Sequence, residues 1–208
     1  MTVASANDVS GTGSLLARLK VETRSQHARA EAALDLLSPG LTRARYARVL
    51  AWQRARHAPL EDGLNRVLRA ALPDPDWAAL DLEARAKTPR LDLDLRALNQ
   101  PPLPTLPPPA WLSTEADAWG CAYVLEGATL GGQVVTRHLL GAGVSPDTLH
   151  FYRSYGPDVG PRWRTFGALL GARHASAPDP EAFATRAVRA ATLTFELFTY
   201  SADAPEAP

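Results

Sequence analysis

The most constraining feature of the 208-residue chain is a helical apolar period that recurs along almost its whole length. Apolar or small residues fall at Leu16, Leu19, Thr23, His27, Ala30, Leu34 and Leu37, three or four apart, as on one face of a helix. Ser38-Pro39-Gly40 reads as its stop. Thr42 can cap a second helix whose stripe runs through Tyr46, Val49, Gln53, His57, Leu60, Leu64 and Val67, closed by Pro73 and Pro75. A shorter helix fits Asp76 to Ala86, with weaker signals to Asn99, and the proline-dense stretch from Gln100 to Pro109 reads as an extended connector crossing one face of the bundle. Ser113 or Thr114 starts a helix to about Leu140, Ser145-Pro146 starts another, and two more fit Asp158 to Ala172 and Asp179 to Ser201. Alternating strand patterns are absent. The expectation is an all-α, single-domain bundle of about seven or eight helices over residues 14–201, with a disordered leader (1–13) and tail (202–208).

Composition narrows the function classes. Lys plus Arg and Asp plus Glu are both 22, and no basic stripe stands out, so a nucleic-acid partner is not expected. No apolar run approaches the ~18 residues that span a bilayer, so no membrane partner is expected either. Cys121 is the one cysteine, which excludes an internal disulfide and suits a cytoplasmic location.

Two constellations carry chemistry. In the first, His27 occupies a stripe position where leucine would be ordinary. Glu31 follows four residues later on the same face, and Lys20 precedes by two turns, about 10 Å along the axis. That offset is similar to the distance from a heme iron to its propionates. An imidazole with a carboxylate behind it suits a metal, while a stripe histidine can equally be a satisfied core residue. In the second, Gly120 to Gln133 is helical in pattern yet carries Gly127, Gly131 and Gly132. Each glycine costs about 1 kcal/mol against alanine in a helix interior. Gly127 and Gly131 share one face, where they would admit a flat ligand to the backbone or let another helix cross closely; Gly131-Gly132 would also let the helix kink.

Residues 20–31 and 123–133 together resemble the proximal and distal helices of heme oxygenase, closest to the bacterial branch that supplies biliverdin to bacteriophytochromes. The resemblance continues through Phe151 to Gly156, Arg162 to Phe166 and Ala190 to Phe195, covering about Leu15 to Tyr200. It implies His27 as the axial iron ligand with Glu31 behind it, Lys20 and Arg164 at the propionates, and Phe195 at the porphyrin edge. Gly127 and Gly131 would lie over the distal face, Tyr123 would form part of the pocket wall, and Thr129 or Gln133 would supply a distal polar group. Many members carry an aspartate after the first distal glycine, where this chain has Ala128. Heme would be substrate and cofactor at once, cleaved to biliverdin, carbon monoxide and ferrous iron. Electrons would come from a ferredoxin or reductase, since no GxGxxG fingerprint is present, and a bacteriophytochrome is a candidate acceptor of the product.

Two other readings stand beside this one. The chain could bind heme for sensing, storage or transfer without cleaving it. It could instead hold a non-heme di-iron site of the same fold, begun by His27, Glu31 and His57 with Glu126. His57 is read as a core histidine or a second pocket residue, and His138, His150 and His174 carry no assigned chemistry.

Overall fold

The computed structural model describes residues 14–199; the expected leader and tail lie outside the described residues. Within them the fold is all-helical. Ten α-helical segments follow in order: α1 (Leu15–Glu22), α2 (Arg24–Leu34), α3 (Arg43–Ala71), α4 (Asp74–Leu80), α5 (Leu82–Arg85), α6 (Thr88–Leu98), α7 (Glu115–Gly141), α8 (His150–Arg153), α9 (Val159–Ala175) and α10 (Pro180–Leu197). α5 and α8 are single turns, and short 3₁₀ turns lie before and after α8.

The expected first helix is two. The Thr23 hydroxyl donates to the Leu19 carbonyl at 2.7 Å, a back-bond that bends helices, and Thr23 (φ −104°, ψ 10°) separates α1 from α2. α2 then stops at Asp35, left-handed at φ 45°, rather than at Ser38-Pro39-Gly40. The stripe misled there because Leu36 turns into the core in a loop conformation while Leu37 is exposed.

α3 runs unbroken through Pro59. Proline offers no N–H to the carbonyl four residues back, and the Leu106 N–H takes that Ala55 carbonyl instead, at 3.3 Å. The proline-dense connector is thereby tied to α3. Arg54 adds a hydrogen bond to the Thr105 hydroxyl at 3.0 Å. α7 starts where Thr114 and Asp117 form a reciprocal capping box.

Two apolar clusters hold the bundle. The larger joins Leu19, Leu60, Leu64, Trp119, Val124, Phe166, Leu170 and Phe195, and so binds α1, α3, α7, α9 and α10 together. The smaller joins Tyr46, Leu50, Leu91, Leu95, Leu139 and Phe151 at the other end of α3. α7 packs along α10, and their approach is so close that a Cβ on Gly120 would lie 2.0 Å from the Ala187 carbonyl oxygen. Cys121 is buried in the larger cluster, its thiol pushed up to about 12 by burial.

Candidate active site

The candidate site lies where α2 and α7 both pack on α10. The Thr23 hydroxyl faces the half-buried Tyr123 hydroxyl, which burial pushes upward in pKa while that contact opposes the shift. One turn beyond Thr23 on α2 is His27; one turn beyond Tyr123 on α7 is Gly127.

The His27 side chain is 53% exposed. It therefore does not pack as the stripe suggested. Its ring stands edge-on to Phe195 of α10, centroids 5.6 Å apart at 90°, and Phe195 is itself buried. Glu31 Oε2 approaches His27 Nδ1 to 3.5 Å, on the side the four-residue spacing called for. Nε2 thus remains the ring nitrogen available to a ligand on the open side.

The glycines of α7 divide into two kinds. A Cβ on Gly132 would lie 2.4 Å from the Tyr152 carbonyl oxygen, so Gly132, like Gly120, permits a close backbone approach. Gly131 has nothing within 4 Å of the same position, and Gly127 has only the Trp163 ring edge at 3.9 Å. No neighbour in the fold demands glycine at either. Leu130 (45% exposed) and Val134 (55%) extend the same face, leaving an apolar strip of helix without a cover.

Lys20 and Arg164 are exposed and make no hydrogen bond or ion pair among the described residues, so both heads are available to an anionic group. The half-buried Trp163 ring lies 6.1 Å from the Tyr123 ring and stacks at 5.4 Å on Phe166, forming a wall that sequence reasoning missed. Its only signal was the Arg162-Trp163-Arg164 run.

Two expectations are not met. Thr129 lies about 200° round α7 from Gly127, buried, with its hydroxyl donating to the Glu126 carbonyl at 2.6 Å. It faces the bundle and presents no oxygen to the glycine face. Glu126 does not join His27, Glu31 and His57 in a metal site, because Arg85 and Lys87 already pair with it. Among the described residues no three His, Cys, Asp or Glu side chains converge as metal ligands.

His57 is a core residue, wedged between Phe151 and Phe198 with centroids at 5.3 and 5.0 Å. Its Nδ1 is 3.7 Å from Glu61 Oε1, too far for a hydrogen bond. Burial holds the imidazole below its ordinary pKa, opposed by Glu61 and reinforced by Lys87. The unfolded chain titrates near ~6.5 and so binds the proton first as pH falls. The contribution of His57 to stability is therefore complete above about pH 7 and declines as pH drops through ~6.5 towards the lower folded value. Urea midpoints measured between about pH 5 and 8 should show this decline, and His57→Leu should flatten it. An unchanged slope in the variant would assign it to another group. His150 has a structural role, its Nδ1 lying 2.8 Å from the fully buried Asp94.

The architecture defines a class first: an all-α protein with a half-exposed histidine on α2 and an uncovered glycine face on α7. Solved heme oxygenases share the fold. The NO- and CO-bound enzyme from Neisseria meningitidis superposes with a TM-score of 0.71 at 21% identity, covering 94% of this chain and 98% of that one. The Leptospira interrogans heme oxygenase gives 0.68 at 18% identity over 90% and 97%. Heme oxygenase-2 from Synechocystis, solved with heme and NO, gives 0.67 at 20% identity over 90% and 83%. No family model matches the chain. A heme oxygenase from Xanthomonas campestris is 37% identical over 134 residues, 64% of this chain and 75% of the relative. The chain belongs to the heme oxygenase family. Among the described residues no helix is long and apolar enough to cross a membrane.

Proposed function

We propose that the protein cleaves heme to biliverdin, carbon monoxide and ferrous iron, with His27 as the axial ligand. The observation that carries this reading is the bare face at Gly127 and Gly131, which no packing contact requires and which leaves room for a flat ligand against the helix. The residues present suit heme. An imidazole is the usual protein ligand to a heme of this kind, the strip of Leu130 and Val134 is apolar, and Lys20 and Arg164 carry unpaired positive charge for the propionates. Bound heme supplies the redox-active iron and is itself the carbon skeleton that is oxidised.

The chain's own groups do the rest. His27, backed by Glu31, holds the iron, while Phe195 orients the imidazole through its edge. The α7 backbone at Gly127 and Gly131 would lie close over the face of the ring away from His27, and Tyr123 and Trp163, whose rings meet at 6.1 Å, would wall that side. Lys20 and Arg164 fix the rotation of the ring and so select which meso edge meets the crowded side. With Ala128 exposed on α7 there is no carboxylate at that position, so protons for bound heme would have to come through backbone groups and solvent. Gln133, exposed and four residues beyond Thr129, stands about 240° round α7 from Gly127 and so lies off the glycine face as well. Electrons come from an external ferredoxin or reductase in the cytoplasm, and a bacteriophytochrome is the proposed recipient of biliverdin.

The test is an absorption spectrum of the protein with one equivalent of hemin, followed by a reductant in air. A Soret band that decays as biliverdin absorbance rises supports the reading. A stable Soret band leaves a heme carrier, and iron uptake without a Soret band returns the non-heme alternative.

A further inference from the structure

Glu126 directly precedes Gly127, and its side chain points the other way, into the most charged part of the interior. Arg85 Nη1 donates to Oε2, Lys87 Nζ donates to Oε1 at 3.0 Å, and the Tyr155 hydroxyl donates to Oε1 at 2.6 Å. Lys87 Nζ also reaches the Arg85 carbonyl at 2.7 Å and the Tyr155 oxygen. All four side chains are buried. The Lys87 and Thr88 N–H groups are in turn held by Glu61, at 2.6 and 3.2 Å. A cavity of about 20 Å³ beside these residues has room for about one water.

A buried ion cluster of this kind is a poor source of stability, since desolvation offsets most of the attraction. Its geometry suggests another purpose. Arg85 spans two elements of the slot: one N–H group takes Glu126, next to Gly127, and Nη2 takes the Arg162 carbonyl at 3.0 Å, next to Trp163. Trp163 is the side chain nearest the open side of Gly127. On the same turn, the Thr129 hydroxyl secures the Glu126 carbonyl. The turn at Gly127 and the start of α9 are thus tied to one anchor.

We infer that Glu126, clamped by Arg85, Lys87 and Tyr155, is a positioning residue that sets the height of the α7 backbone at Gly127 and its spacing from Trp163 and Arg164. The inference rests on the proposed heme slot but concerns the shape of the slot before any ligand enters. In heme cleavage it fixes which edge of the ring lies under the crowded backbone.

The experiment compares the unaltered protein with Glu126→Gln and Tyr155→Phe, the second keeping every charge. Amide hydrogen exchange is followed on the hemin-free protein, and the biliverdin isomer ratio is measured after turnover. The expected result is exchange at least ~10-fold faster confined to residues 126–134 and 160–164, with hemin uptake preserved and the isomer ratio shifted. Tyr155→Phe shows the same pattern more weakly, and it decides the matter if Glu126→Gln does not fold. Uniform loosening of the whole bundle, or local exchange and isomer ratio both unchanged, overturns the inference. Failure of the unaltered protein to take up hemin would instead count against the proposed function, and the exchange pattern would still judge the anchor.

Discussion

His27→Ala should abolish heme turnover, lowering it by at least ~100-fold, while leaving the fold intact. The side chain is 53% exposed, lies 3.5 Å from Glu31 and packs edge-on to Phe195. Stability should therefore move by no more than about 0.5 kcal/mol, as for most surface substitutions. Loss of the imidazole removes the axial nitrogen and leaves a gap of imidazole size beside Phe195. Free imidazole should enter that gap and restore both the Soret position and part of the turnover. The measurement pairs thermal unfolding of the hemin-free variant with hemin titration and turnover, with and without added imidazole. Full activity without imidazole would remove His27 from the role assigned to it.

The second large effect separates glycines that serve the fold from those that serve the slot. Gly131→Ala adds a methyl group where nothing lies within 4 Å. The hemin-free protein should be unharmed or gain up to about 1 kcal/mol from helix propensity. Gly131→Leu should be equally well folded, yet its side chain fills the bare face, so hemin affinity should fall ~10-fold or more and turnover with it. Gly132→Ala is the counter-case. Its Cβ would stand 2.4 Å from the Tyr152 carbonyl oxygen, and relieving that overlap should cost about 1–3 kcal/mol. Chemical denaturation and hemin titration of the three variants give the comparison. If Gly131→Leu bound hemin as tightly as the unaltered protein, the ligand face would have to lie elsewhere.

On the proposed reading the two sets of variants probe opposite sides of one slot, and together they distinguish it from a carrier site. A carrier needs the axial histidine. It does not need a close backbone on the far side, because crowding there matters only for directing attack to one edge. Loss of isomer selectivity with retained hemin binding in Gly131→Ala would therefore locate the function of Gly131 in the reaction.

Much of the molecule was already legible in the sequence because helices are local. A three-and-four apolar period, Thr114 with Asp117, and Asp179 before Pro180 depend on residues within one turn of each other, and the observed helices begin where those signals lie. The pairing of His27 with Glu31 is local in the same sense. What depended on distant partners was not legible. Nothing near Pro59 says that Leu106 will take the carbonyl it frees. Gly127, Gly131 and Gly132 read alike in sequence, and only the position of Tyr152 shows that one is a packing site and two are open. Thr129 looked like a distal polar group until its place on the helix turned it inward. Glu126 looked like a metal ligand until two cations from residues 85–87 filled its coordination. Local periodicity and capping residues determined most of the helices and their order along the chain, though not the break at Thr23. Tertiary packing alone decided which faces they bury, and the face left bare on α7 is where the chemistry is proposed to occur.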